Sequence, residues 1–260
     1  NGFTLGNSVT VNGTGYGSNN FVGWSWKGGG TASSNTDGSI TSSVSANTTS
    51  GFSVVGWTGT GATATVGHGL GTTPKLFIVK ERSEARNWPI VTTAIDGSWD
   101  SLYLNITDAV GSSPQSADSS VFNFTSSNEF NASGQTYISY CFANKAGFSR
   151  MGSYVGNGSA DGTFVYTGFK PAFLMYKQSS ASGESWIMQD NARNLFNVTN
   201  KRLLANAGNV EADEPIDFLS NGFKCRTSGA FQNASGSTYI YMAFAENPLV
   251  GTNGVPATAR

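Results

Sequence analysis

A chain of 260 residues with a formal net charge of −1 and only 12% charged side chains lacks the basic footprint that nucleic acid or anionic membranes attract. Seventeen Phe, nine Tyr and six Trp supply ample material for a core, which excludes disorder, and no apolar run approaches the roughly eighteen residues that span a bilayer. The expected partners therefore include neither nucleic acid nor a membrane interior, and 33 Gly among many Ser, Thr and Asn describe a neutral polar surface rich in turns.

In chain order, residues 1–29 (NGFTLGNSVTVNGTGYGSNNFVGWSWKGG) follow the plan of residues 221–247 (NGFKCRTSGAFQNASGSTYIYMAFAEN). They read as the last strands of a partial repeat, expected either to be completed by another chain or to belong to a longer precursor. Residues 30–50 are a Gly/Ser/Thr-rich connection with the composition of a flexible linker. Ile40, Ser42, Val44 and Ala46 nevertheless alternate with Ser and Thr, as an edge or donor strand would, and both readings stand.

Residues 51–147 and 148–248 are two full repeats, followed by a tail over 249–260. GFSVVGWTGTG answers GFSRMGSYVGNG, GTTPKLFIVK answers GFKPAFLMYK, NASGQTYISYCFAN returns as NASGSTYIYMAFAE, and Trp88 falls opposite Trp186. Short runs rich in Val, Ile, Phe and Tyr, bounded by Gly, Asn, Ser and Pro, predict strands over 52–58, 75–80, 88–91, 102–105, 121–125 and 136–143. The second repeat supplies 150–155, 163–166, 172–178, 186–189, 202–204, 216–218, 223–227 and 238–245. Residues 191–200, poor in helix formers, read as a turn rather than a helix. The expected fold class is all-β: two tandem antiparallel sandwiches or barrels, jelly-roll-like, behind a partial repeat. Pro74 and Pro171 mark strand starts. The paired glycines Gly59/Gly156, Gly61/Gly158 and Gly71/Gly168 mark turns with positive φ.

The chemistry-bearing residues are sparse. His68, the one histidine, reads as a surface turn residue, with Val165 opposite it in the second repeat. Cys141 and Cys225 occupy non-equivalent places and read as small buried hydrophobes, a bridge between them being the alternative. Neither they nor His68 suffice for a zinc site. Paired carboxylates for glycoside hydrolysis would come from Glu81, Glu84, Asp96, Asp100 or Asp108, or from the cluster Glu211, Asp213, Glu214 and Asp217, whose better functional reading is calcium. Eight N-x-S/T sequons are what so much Asn, Ser and Thr yields without glycosylation. The equivalent aromatic pairs Trp57/Tyr154 and Trp88/Trp186 read as core, whereas Trp99, in DGSWDS with no aromatic counterpart, is the expected exposed ligand contact. No catalytic, cofactor-binding or metal-binding residue is expected, and no cofactor. The apolar set Phe21, Val22, Trp24 and Trp26, with Ile40 and Val44, is expected to be covered by a neighbouring subunit through strand addition, which propagates a filament.

The segments FVGWSWKGGGTASSNTDGSITSSVSANTTSGFSVVGWTGTGATATVGHGLGTTPKLFIVK (21–80), GSYVGNGSADGTFVYTGFKPAF (152–173) and TYIYMAFAENPLVGTNGVPATAR (238–260) carry a resemblance. Together they resemble the C-terminal repeat region of large tail-fibre-like proteins of marine and cyanobacterial phages, in which a concanavalin-like lectin or jelly-roll domain often lies upstream. The resemblance covers nearly the whole chain and implies an extracellular or virion-associated β-rich structural protein, with Arg260 as its natural C-terminus. It carries over no activity and no catalytic residue, and the chain lacks the lectin-like part. The expected function is that of a non-enzymatic, self-assembling fibre or filament subunit. A carbohydrate- or receptor-binding module at a fibre tip, with a cell-surface glycan as partner, is the alternative.

Overall fold

A computed structural model describes residues 4–6, 8 and 21–246, and every regular element among them is a β-strand. An arm of two strands, β1 (Ser33–Asn35) and β2 (Ser42–Asn47), leads into the first repeat. That repeat comprises β3 (Phe52–Thr58), β4 (Ala64–Gly67), β5 (Leu76–Glu81), β6 (Pro89–Thr92), β7 (Asp100–Tyr103), β8 (Gly111–Ser112), β9 (Ser116–Ala117), β10 (Val121–Phe124) and β11 (Thr136–Phe142). The second has β12 (Ser149–Val155), β13 (Phe164–Tyr166), β14 (Phe173–Gln178), β15 (Ile187–Asp190), β16 (Thr199–Leu204), β17 (Ala212–Leu219), β18 (Gly222–Cys225) and β19 (Thr238–Phe244).

The strands pair antiparallel in the order β1-β2-β3-β11-β5-β6-β7-β8, with β4-β10-β9 as a separate sheet, and in the second repeat β12-β19-β14-β15-β16-β17-β18-β13. With β8 and β9 taken as the two halves of β17, both repeats have one topology. The split falls at Pro114, and Pro215 occupies the matching place within β17. Each repeat folds over its own core. One contains Val55, Trp57, Val66, Phe77, Phe122 and Tyr137, the other Tyr154, Val165, Leu174, Tyr176, Phe223 and Tyr239.

The repeat keeps specific polar and aromatic devices as well as apolar positions. Trp57 stacks on Tyr137 at 5.3 Å, and Tyr154 stacks on Tyr239 at 5.0 Å. Trp57 Nε1 and Tyr154 Oη then donate to the carbonyls of Phe130 and Gln232. The Tyr137 hydroxyl donates to Asn128 O and accepts from Ala132 N, and that of Tyr239 donates to Ala230 O and accepts from Ala234 N. Both loops are thereby sewn to their sheets, and the pairs are core, as expected. Gly61, Gly158, Gly71 and Gly168 have the expected positive φ. Gly59 and Gly156 do not: a Cβ there would collide with the carbonyls of Ala132 and Ala234, so close backbone approach, not turn geometry, requires glycine.

Two expectations need correction. β4 was not foreseen, and its pairing puts Val66 on Phe122 just as Val165 lies on Phe223. Val66 rather than His68 is therefore the partner position of Val165. His68 itself is fully buried: Nδ1 accepts from Leu70 N, Nε2 donates to Asp118 O, and burial holds the ring below its ordinary pKa. Of the two readings of residues 30–50, the structure shows the edge strand. β2 pairs along β3, Ile40 bridges Val66 in parallel, and Ser42 Oγ donates to Gly67 O, so the arm fills the gap between β3 and β4.

Among the described residues the second repeat has no such arm, and it blunts the corresponding edge differently. The Asn144 amide accepts from Met151 N (2.7 Å) and donates to Met151 O, and Thr163 Oγ1 caps Val155 O (2.9 Å). A side-chain amide thus imitates one residue of a neighbouring strand.

The two repeats meet through the outer faces of their larger sheets. Leu76, Ile78, Ile90, Leu102 and Phe142 of the first pack with Met151, Phe173, Trp186, Ile240, Met242 and Phe244 of the second in a third core. Polar bonds follow the apolar contact. Trp186 Nε1 donates to Tyr103 O (2.7 Å), Val110 N to Ser179 O (2.8 Å), and the buried Lys177 ammonium to Asp108 O (2.8 Å). Burial pulls that ammonium down to about 8, against a smaller opposing pull from Asp108.

Candidate functional site: the tryptophan cleft between the repeats

Where the two outer sheet faces diverge they leave a cleft, and residues 21–26 enter it from the N-terminal side. Alternation in FVGWSW turns Trp24 and Trp26 to the same side. Trp26 lies edge-on to Phe142, Phe173 and Phe244 at 6.2, 5.4 and 5.4 Å, and Trp24 to Phe173 at 5.3 Å. Trp24 Nε1 donates to Asp190 Oδ2 (3.1 Å), an oxygen that also accepts from Arg193 Nε (2.8 Å). The Arg193 guanidinium lies 5.8 Å from the Trp24 ring centre and reaches Glu211 with its second nitrogen (2.9 Å). One ion-pair network therefore fixes the indole at the cleft mouth.

The tryptophan segment divides the space in two. One groove of about 540 Å³ sets Trp24 and Trp26 beside Lys27, Asn47, Asp190, Asn191 and Glu246. The other, about 520 Å³, is almost wholly apolar and runs between Ile78, Trp88 and Tyr140 on one wall and Met175, Met188 and Met242 on the other. The first combines ring faces with amides and charges, the composition that binds a polar ring such as a sugar. The second offers only dispersion and apolar burial.

Among the residues expected to assemble the chain with a neighbour, Ile40 and Val44 are buried within the chain instead, and Trp24 and Trp26 are half-buried there. Ile40 and Val44 belong to the first repeat's core, and the two tryptophans pack on the core between repeats. Only Phe21 and Val22 stay exposed, at 49% and 37%. The rest of residues 1–20, apart from 4–6 and 8, lies outside the described residues, as does the tail over 249–260. Trp99 is not an exposed platform either. It is half-buried and packs on the first repeat's core, its ring centre 6.0 Å from that of Phe77.

The titratable candidates do not converge on the cleft. Glu81 is buried with Arg86 3.5 Å away. Glu84 and Asp108 act through their backbone, their carbonyls accepting from Lys80 Nζ and Lys177 Nζ. Asp96 is held below the usual carboxylate range by Ser98, and Asp100 is raised by burial, then by the charge of Asp96. The acidic run is dispersed rather than gathered about a cation: Glu211 pairs with Arg193, Asp213 with Lys201, Glu214 with Arg202 and Asp217 with Arg226. Among the described residues no three His, Cys, Asp or Glu side chains form a metal-binding group. Cys141 and Cys225 are free and buried in different cores, which excludes a bridge, and burial pushes both thiols up to about 12. The cleft itself was not anticipated. Its only sequence signal is that TYISYCF and TYIYMAF are apolar on both faces, as strands buried on both sides must be.

A family profile described as a domain of unknown function (DUF7483) matches residues 1–248. The chain belongs to this family. Neither a curated protein nor a solved structure matches it. The DUF7483 match spans the arm and both repeats, with the tryptophan segment inside it.

Proposed function

We propose that this DUF7483 chain is a non-enzymatic structural protein of the phage tail-fibre-like type, acting at the virion surface or elsewhere outside the cell as a subunit of a fibre or filament. The observation that carries the reading is the core between the repeats. Successive β-domains are joined not by a flexible linker but by sheet faces packed on each other, with Trp186 buried at the contact and hydrogen-bonded across it. A fibre segment whose repeats are held by that contact resists bending, because separating two repeats exposes apolar surface at about 25 cal/mol per Å². Side-chain caps on the open edge of β12 favour ordered association over indiscriminate strand pairing. Negative-stain microscopy of the purified protein, with immunogold labelling of virions, tests the proposal. Regular fibres carrying the label support it, whereas labelled protein that is always intracellular and globular contradicts it.

A second reading is favoured by the more polar groove, where Trp24 stands beside Asp190, Asn191 and Lys27: a carbohydrate- or receptor-binding module at a fibre tip. A glycan array distinguishes it. Saturable binding that is lost in Trp24→Ala, with folding intact, would favour this reading over a purely structural role.

A further inference from the structure

Aligning residues 21–26 with 137–142 and 239–244 sets Trp24 opposite Tyr140 and Met242, and Trp26 opposite Phe142 and Phe244. The last three rings meet in space. Trp26 lies 6.2 Å from Phe142 and 5.4 Å from Phe244, and Phe142 lies 5.6 Å from Phe244. Three equivalent positions from three copies thus form a nearly equilateral triangle, the mark of repeats disposed about a threefold axis.

Two of the three sheets at that axis are complete. β11 is flanked by β3 and β5, and β19 by β12 and β14. The third strand position, residues 21–26, has no ladder partner on either side among the described residues. Next to it lies the apolar groove, whose wall residues Ile78, Tyr140, Met175 and Met242 stand on the outer faces of the two finished sheets.

We propose that this groove is the seat of a third β-repeat of the same kind, with residues 21–26 as its middle strand, packed on the other two about a pseudo-threefold axis through Trp26, Phe142 and Phe244. The occupant is the front of the repeat, the counterpart of β12 to β17. It supplies a strand to each side of residues 21–26 and lays its outer apolar face on Ile78 and Met175. An apolar small molecule would fill the groove but leave the backbone of residues 21–26 unpaired. A second whole chain would cover the groove only by dimerising. The proposal goes beyond the fibre reading and does not depend on it.

The test supplies the front directly. A second copy of residues 148–220 is placed ahead of Asn1 in the full chain, so that Asn1-Gly2-Phe3 follows it as Asn221-Gly222-Phe223 does in the second repeat. The expected product is a monomer in which anilinonaphthalenesulfonate binding falls several-fold, acrylamide no longer quenches Trp24 and Trp26, and the amides of residues 21–26 gain exchange protection. Trp26→Ser in the extended chain restores dye binding. A folded extension that leaves all three readouts unchanged overturns the proposal. So does an unextended chain that is already a dimer with residues 21–26 protected. Should that extension fail to fold, residues 51–119 serve as an alternative front, and failure of both to seat also overturns it.

Discussion

Asn131 and Asn233 show at single-residue scale what the repeat preserves. Asn233 Nδ2 donates to the carbonyls of Ser159 (2.7 Å) and Thr227 (2.9 Å) and its Oδ1 accepts from Asn157 N, while the Asn131 amide bonds Thr60 N and the Ala62 carbonyl. Both are fully buried, so neither NAS sequon is open to a glycosyl group. Either Asn→Ala change strands buried backbone groups and should cost roughly 2–3 kcal/mol in urea unfolding. A loss below about 0.5 kcal/mol, the level of an ordinary surface change, would contradict this account. His68 makes a pH prediction. Its folded pKa lies below the unfolded value of about 6.5, so the unfolded chain takes up the proton first as pH falls. Stability from this group is complete above about 6.5 and declines below it; Tm measured from pH 7.5 to 5 should fall less steeply in His68→Gln than in the parent. The sequence did not reveal this burial, because a histidine between glycines has the local chemistry of a surface turn and only the pairing of β4 with β10 draws it inside.

Among the elements, strands with a long apolar run were readable: β3, β11, β14 and β19 lie within a residue or so of their predicted limits. β4 was not, since ATVG is too short to show alternation and is displaced by two residues against its counterpart. Counting from Gly61 to Val66 gives five residues, and from Gly158 to Val165 seven, so a constant offset misaligns it. The arm was ambiguous for a physical reason: a strand of Ser and Thr has the composition of a linker, and only its partner β3 makes it a strand. The edges give a prediction. Asn144→Ala removes the cap from Met151 N and O on β12, which should cost about 1–2 kcal/mol and increase light scattering on storage. Asn144→Asp keeps the acceptor and should fall between the two, and equal stability of all three proteins would refute the capping role.

For the whole molecule, sequence showed that the chain is repetitive but not how the repeats are joined. The repeat alignment shows that Leu76 and Phe173, Ile78 and Met175, and Phe142 and Phe244 are equivalent, but not that these outward faces pack on one another in one core. Trp186→Ala empties a fully buried site at that joint and should destabilise the protein by about 4 kcal/mol, acting on both repeats at once. The candidate site was legible only in part. Trp24 and Trp26 were marked as needing cover, and the joint between the repeats covers them only in part.

Differential scanning calorimetry of the intact chain tests that joint most directly. If the repeats share one core, they unfold together, in a single transition whose calorimetric and van't Hoff enthalpies agree, with Trp186→Ala lowering that one transition as a whole. Two resolved transitions in the parent, only one of which moves in Trp186→Ala, would show that the repeats are separate beads and would contradict the account.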